Sequence, residues 1–305
     1  MFIINNKKIF IGISIGLVII SIALLFIFPP KIGIDFKGGA LTEVLYKTAR
    51  PDQVALEDTI KTSTIGAVLL QPTGDLGYIV KSKDINEAEH TSLLQMLSVD
   101  GKNPLEEKSF NSIGPSIGRE LTQKAILAMI LVSLGIILFI AFAFRKVSKP
   151  VSSWKYGIIA VLTLLHDVMI PIGIFTVFSH YYGAEIDALF VVAVLTILGL
   201  SVSDTIVIFD RIRENLRNQA AVAKINFNET VGKSLEQSYV RSICTSLTVI
   251  LVLLSLVFFG PASTKYFALM LTFGMFFGTY SSIFLASPLL VWVNEVQIKN
   301  QNKKR

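Results

Sequence analysis

The sequence predicts a polytopic α-helical membrane protein: six transmembrane helices, with a small α+β, ferredoxin-like domain inserted between the first and the second. Three observations carry this prediction. Six apolar runs each approach or exceed the ~20 residues that a helix needs to cross a bilayer. One long polar stretch, residues 31–121, mixes strand-like alternation with helix-like spacing. The composition is 52% hydrophobic and only 16% charged, with a mean hydropathy of +0.62, which one soluble core would not absorb.

The first apolar run, residues 9–28, follows Lys7 and Lys8 and closes on Pro29-Pro30. A signal peptide has a shorter apolar region, about 7–15 residues, before a small-residue cleavage site. This run is longer and no such site follows, so it reads as an anchor that stays. Gly12-x-x-x-Gly16 either lets a neighbouring helix approach closely or is simply tolerated in a membrane helix.

The polar stretch opens with G-I-D-F-K-G-G, which contains Gly33, Asp35, Gly38 and Gly39, and continues in a strand pattern over 40–46. Residues 52–61 have helical spacing, with Val54, Leu56 and Ile60 apolar. Segments 65–70 and 78–81 flank the turn material Pro72-Thr73-Gly74-Asp75 as a hairpin. A second helix covers 86–97, with Leu93, Leu94 and Leu97 on one side, and 110–120 leads back to the membrane. Strand, helix, strand, strand, helix is the order of a small α+β unit. It holds no metal-ligand cluster, phosphate loop or nucleophile elbow, and His90 reads as a surface residue of its helix.

Five further spans are expected near 122–144, 156–178, 186–209, 240–259 and 264–293, the last long enough to tilt or to project beyond the lipid. Charge sets the orientation. Lys7, Lys8, Arg145, Lys146, Lys149, Lys155, Arg211, Arg213, Arg217, Lys224, Lys233, Lys299, Lys303, Lys304 and Arg305 all fall on one side. The short loops opposite, 179–185 and 260–263, carry no Lys or Arg. By the positive-inside rule both termini are cytoplasmic and the α+β domain is extracytoplasmic. The expected domains are 1–30 (N-terminus and first span), 31–121 (α+β), 122–293 (spans two to six) and 294–305 (basic cytoplasmic tail). The single cysteine, Cys244, lies in an apolar run and excludes an intramolecular disulfide.

Ionisable groups inside a bilayer are costly and usually face a bundle interior or a water path. His166 and Asp167 lie near the middle of the third span, a few residues before Pro171. Asp204, between Ser203 and Thr205, lies in the cytoplasmic third of the fourth, and Arg241 just inside the start of the fifth. Opposite directions of spans four and five place Asp204 and Arg241 at similar depths. Ser201 and the Ser242, Thr245 and Ser246 group supply hydroxyls around them. By depth alone Asp167 is the first choice of titrating group. Arg241 alone reads as an interfacial side chain reaching headgroups, and His166-Asp167 also admits a packing role. A nucleophile motif at Gly199–Ser203 fails, because Ser203 stands where the second glycine of G-x-S-x-G belongs; no enzyme activity is expected.

The motifs G-I-D-F-K-G-G (33–39), I-G-P-S-I-G-R-E-L (113–121), H-D-V (166–168), S-D-T-I-V-I-F-D-R-I-R-E-N (203–215) and R-S-I-C-T-S-L-T (241–248) resemble the SecF branch of the SecD/SecF family within the RND superfamily. The resemblance runs almost the whole length. It implies a six-helix RND-type bundle in the bacterial inner membrane that works with SecD and uses the proton-motive force to assist Sec-dependent translocation. The partners it implies are SecD, the Sec translocon (SecYEG), YajC, YidC, translocating preproteins and membrane lipids. No nucleic acid, metal or organic cofactor is expected, and Na⁺ is the other candidate coupling ion. In the family, the positions of Asp204 and Arg241 act in proton transport. Ser203 departs from the Asn that many relatives carry there. The alternative is an RND-type proton-coupled exporter half for lipids or small molecules.

Overall fold

The computed structural model describes residues 1–143, 151–219 and 226–303. Phe144, the end of the second expected span, and the basic residues Arg145, Lys146, Lys149, Lys224, Lys304 and Arg305 lie outside the described residues. The chain divides into two compact units. One comprises Met1–Lys31, Ala128–Glu185 and Leu189–Arg305; the other comprises Ile32–Leu127 with Ile186–Ala188.

In chain order, α1 (Phe2–Asn5) and α2 (Lys7–Ile27) lead to the short strand β1 (Lys31–Ile32) and the one-turn helix α3 (Ile34–Lys37). The α+β unit follows: β2 (Gly39–Tyr46), α4 (Gln53–Lys61), β3 (Leu69–Thr73), β4 (Gly77–Ser82), α5 (Glu87–Leu97) and β5 (Leu105–Ile113). Its four strands lie in the order β3-β4-β2-β5, all neighbours antiparallel. Two helices crossing such a sheet make the ferredoxin-like arrangement. Strand β5 escapes the sequence pattern because it is an edge strand with charged residues along it, Glu106, Glu107 and Lys108. Pro72 sits in β3, the other edge, where a missing N–H costs no ladder bond.

Both helices of this unit start where side chains can cap them. Asp52 accepts from the Ala55 backbone N–H, and Asn86 with Glu89 forms a reciprocal capping box. The Asn86 backbone N–H, with Lys83 alongside, holds the Glu89 carboxyl below its ordinary range, so this box weakens as pH falls through the folded value. Leu56, Ile60, Leu93 and Leu97 face the sheet core with Val44, Tyr46 and Val80. Tyr46 is buried, donates to the Leu97 carbonyl at 2.9 Å, and has its phenol pushed up to about 12 by burial. Val54 is 65% exposed, on the outer face of α4. One expectation needs correction. His90 is not a free surface residue: its ring stacks on Phe110 at 3.8 Å and Nε2 meets Glu107 Oε1 at 3.1 Å.

The remaining elements are α6 (Pro115–Ala143), α7 (Ser153–Tyr182), β6 (Glu185–Ile186), α8 (Ala188–Gln219), α9 (Phe227–Phe259), α10 (Lys265–Ser281) and α11 (Ser287–Lys303), with a π-helical segment, Ser282–Ala286, joining the last two. Among the described residues, six helices are long and apolar enough to cross a membrane: Lys7–Ile27, Pro115–Ile140, Trp154–Tyr182, Ala188–Gln219, Phe227–Phe259 and Lys265–Asn302. The sixth extends well past the expected 264–293, so residues 294–303 continue the helix rather than trailing as a tail. No atom lies within 4 Å of a Cβ built on Gly12 or Gly16, so no described neighbour uses that motif. Close approach occurs elsewhere. A Cβ on Gly173 of α7 would lie 2.6 Å from Ser21 Cα of α2, and one on Gly274 of α10 would collide with Ile197 of α8.

Leu93 and Val54 separate core from surface in the α+β unit. Leu93→Ala is expected to lower its opening free energy by about 2–5 kcal/mol, and Val54→Ala by no more than ~0.5 kcal/mol. Hydrogen exchange of the β2 amides in the full chain, in lipid nanodiscs, reads both.

Candidate functional site

The membrane unit gathers its polar side chains around two carboxylates. Asp167 on α7 is wholly buried. Its Oδ1 faces His166 Nδ1 at 2.8 Å, and its Oδ2 accepts from Ser281 Oγ of α10 at 2.7 Å and from Ser201 Oγ of α8. Three helices therefore meet on one side chain. Pro171 lies inside the same helix, four residues on, and lacks the N–H that would have bonded the Asp167 carbonyl. Gly278 permits the approach of α10 to α8: a Cβ there would stand 3.3 Å from Ser201 Cβ.

Asp204 lies one turn beyond Ser201 and is only partly buried. Its Oδ2 accepts from Ser246 Oγ of α9 at 3.3 Å and from Thr279 Oγ1 of α10 at 3.5 Å. These are long, weak bonds by the usual N–H and O–H standards. The single Thr279 proton is shared among acceptors, because Ser246 Oγ at 2.5 Å and the Met275 carbonyl at 2.9 Å also lie within its reach. Thr205 Oγ1 pairs with Ser282 Oγ at 2.9 Å, while Ser203 points to an exposed face.

Arg241 is not brought to Asp204. It is exposed, and no ion pair is formed by it among the described residues. Helix register explains this. Asn215 Nδ2 of α8 donates to Ser234 Oγ at 2.8 Å and Gln237 Oε1 at 2.9 Å of α9, and Asp204 meets Ser246. In that antiparallel register Ser246 lies at the level of Asp204. Arg241, five residues earlier, lies about 7–8 Å nearer the start of α9 at ~1.5 Å per residue. Thr245 bonds its own helix at the Arg241 carbonyl.

The glycine motif has a local role in the α+β unit. Gly33 N–H donates to the Ile186 carbonyl at 2.8 Å and precedes α3; Gly38 ends that turn at φ 81°. A Cβ on Gly38 would stand 2.9 Å from Pro115 Cα, and one on Gly39 2.7 Å from the Ser82 carbonyl, so side chains are excluded at both. Asp35 Oδ2 accepts from the backbone N–H of Ala188 at 2.7 Å, satisfying the first N–H of the helix that carries Asp204.

The sequence reading missed Thr279, Ser281 and Ser282. The available signal was the polar interruption T-Y-S-S at 279–282 within an apolar span, next to Gly274-x-x-x-Gly278.

The family model described as "Protein export membrane protein SecD/SecF, C-terminal" matches residues 94–296. The chain belongs to the SecD/SecF family. Within that family it is 43% identical to the protein translocase subunit SecF of Thermobaculum terrenum, covering 93% of this chain and 91% of that one. It is 34% identical to the SecF of Anaerolinea thermophila, over 95% and 93%. The crystal structure of SecDF from Thermus thermophilus, described as a translocon-associated membrane protein, superposes with a TM-score of 0.79 at 28% identity, covering 95% of this chain and 38% of that one. A super-membrane-facing form of SecDF gives 0.67 at 27% identity, with 98% and 40% covered. This SecD/SecF-family chain thus spans about two fifths of the SecDF chains.

Ser281→Ala removes one donor from a buried carboxylate and is expected to cost about 1–3 kcal/mol. The loss should shrink by at least ~0.5 kcal/mol in an Asp167→Asn background, because the two groups are coupled. Thermal unfolding of the four purified proteins in detergent closes this cycle.

Proposed function

We propose that this chain is the SecF-type subunit of a SecD–SecF assembly in the bacterial inner membrane, where it uses the proton-motive force to assist Sec-dependent protein translocation. Both termini are cytoplasmic in this reading, because the basic residues concentrate on their side. SecD supplies the rest of the bundle; preproteins, the SecYEG channel, YajC, YidC and the surrounding lipids are the other partners.

The observation that carries the mechanism is the contrast between the two carboxylates. Asp167 is locked by short bonds from three helices. Asp204 is held only by long bonds from hydroxyls that already have each other, and Thr279 also has the Met275 carbonyl at 2.9 Å. Releasing Asp204 therefore leaves neither hydroxyl without a partner. Protonation of Asp204 removes its charge, frees α8 from α9 and α10, and lets these helices repack. Arg241, which the present arrangement leaves facing outward, is the counter-charge that a shift of α9 by about one and a half turns would bring level with Asp204.

The energies are sufficient. A proton crossing 100 mV carries about 2.3 kcal/mol and each pH unit adds ~1.4 kcal/mol. A few kcal/mol shifts a two-state equilibrium by a factor of roughly a hundred or more. A serine-hydrolase role is disfavoured: Ser201 and His166 both bond Asp167, so the imidazole does not stand between serine and carboxylate as a base must. The family match does not favour an exporter half for lipids or small molecules.

Pulse-chase of secretory precursors tests this in cells that carry Asp204→Asn at the parent's membrane level. Precursor is expected to accumulate as in cells lacking the chain, with Asp204→Glu recovering part of the processing. Normal processing with Asp204→Asn overturns the mechanism. Arg241→Gln is expected to slow processing at least several-fold, with Arg241→Lys intermediate.

A further inference from the structure

Three side-chain polar atoms at the α2 side of Asp167 are buried and have no hydrogen-bond partner among the described residues: Ser14 Oγ, His166 Nε2 and Tyr280 Oη. Leaving such groups unpaired is costly, and buried clusters of them mark ordered water. The three come from α2, α7 and α10, and independent contacts converge them on one place.

Helices α2 and α7 run parallel in a seven-residue register. The Phe28 ring packs at a tilt against that of His180, centroids 4.7 Å apart, and Ser21 abuts Gly173. One further step of seven brings Ser14 opposite His166. From the other side, the His166 ring lies 6.2 Å from Tyr280 at an interplanar angle of 20°, Tyr280 stacks on Phe284 at 5.2 Å, and Phe284 packs on Phe10 at 5.0 Å. Phe10 is one turn from Ser14 on the same face of α2. The register and the ring contacts bring Ser14, Tyr280 and His166 to one neighbourhood. Ser14 also behaves unlike Ser21, whose Oγ donates back to the Leu17 carbonyl at 2.9 Å. The Ser14 hydroxyl makes no such bond and is left to an outside partner.

We propose that Ser14, His166 and Tyr280 enclose a buried hydration site that feeds protons to Asp167 from the first span. With the ring hydrogen on Nδ1, the nitrogen that faces the Asp167 carboxylate, Nε2 is an acceptor. A water donates one O–H to Nε2 and accepts from Ser14 or Tyr280. A proton arriving on that water passes to Nε2, leaving neutral water. The imidazolium then gives its Nδ1 proton to Asp167 Oδ1, and the ring is left neutral in the Nε2–H tautomer. One proton has moved from water to carboxylate, and no other bond is made or broken. The inference rests on the proton-coupled reading of the site for its purpose, but its test does not require export.

The chain has three histidines, His90, His166 and His180, so ¹⁵N-histidine labelling of the full protein in phosphatidylethanolamine–phosphatidylglycerol vesicles gives few signals. His90→Gln and His180→Gln assign them. Water-edited solid-state NMR is expected to show transfer from water to His166 Nε2 in the parent. Ser14→Val, which fills the space without a hydroxyl, should reduce that transfer at least three-fold, and Ser14→Thr should keep it, with His90 unchanged in both. Absence of transfer at His166 Nε2 in the parent overturns the site, whether or not Ser14→Val folds. Transfer unaffected by Ser14→Val overturns the role of the first span. Either result leaves the Asp204→Asn experiment standing, so the two readings fail separately.

Discussion

A carboxylate removed from water has to be satisfied by protein donors, and the membrane unit is arranged so that Asp167 is. Its two oxygens take hydrogen bonds from an imidazole and two serine hydroxyls carried by α7, α8 and α10. Breaking a buried, hydrogen-bonded charge apart costs several kcal/mol, far more than any single apolar contact between helices that lipid tails could replace. Glycines make the arrangement possible. Gly274 and Gly278 let α10 approach α8, and Gly173 lets α7 approach α2. The polar centre and the small-residue seams are two parts of one packing solution.

The second carboxylate draws its meaning from the first. Asp204 is a single turn away on α8, yet its bonds are longer and its donors can pair without it. One site fixes the bundle and the other is free to change. The reading from depth alone ranked Asp167 first as the titrating group, because it is the more central. Hydrogen-bond geometry reverses the ranking: the central carboxylate is the anchor, and the less buried one is poised to switch. Asp167 keeps a proton-handling part through His166, whose second ring nitrogen faces away from it.

Much of the architecture was legible because membrane spans and amphipathic elements announce themselves locally. The caps Asp52 and Asn86 stand where the helix patterns begin. The hairpin was expected, but its first strand is Leu69–Thr73 rather than 65–70, so Pro72 and Thr73 pair in the strand and only the Gly74 end turns. Strand β5 was hidden because an exposed edge carries charges rather than alternation. The site was half legible. Asp167, Asp204 and Thr205 stand out as polar residues in apolar runs, but which hydroxyl meets which carboxylate depends on interhelical register. That register put Ser201 on Asp167 rather than on Asp204, and Ser246 rather than Arg241 at the level of Asp204. The serines and threonine of span six were silent for the same reason: nothing local tells a helix-satisfied hydroxyl from one that reaches across.

Infrared difference spectroscopy of carboxyl groups during a pH step, with the protein in lipid vesicles, addresses the division between anchor and switch most directly. A protonated-carboxyl band should appear on acidification, lose its Asp204 component in Asp204→Asn, and shift in Thr279→Val, which removes one of the two donors to that group. A band left unchanged by both substitutions would contradict the account, because Asp204 would then not be a carboxylate that takes up the proton.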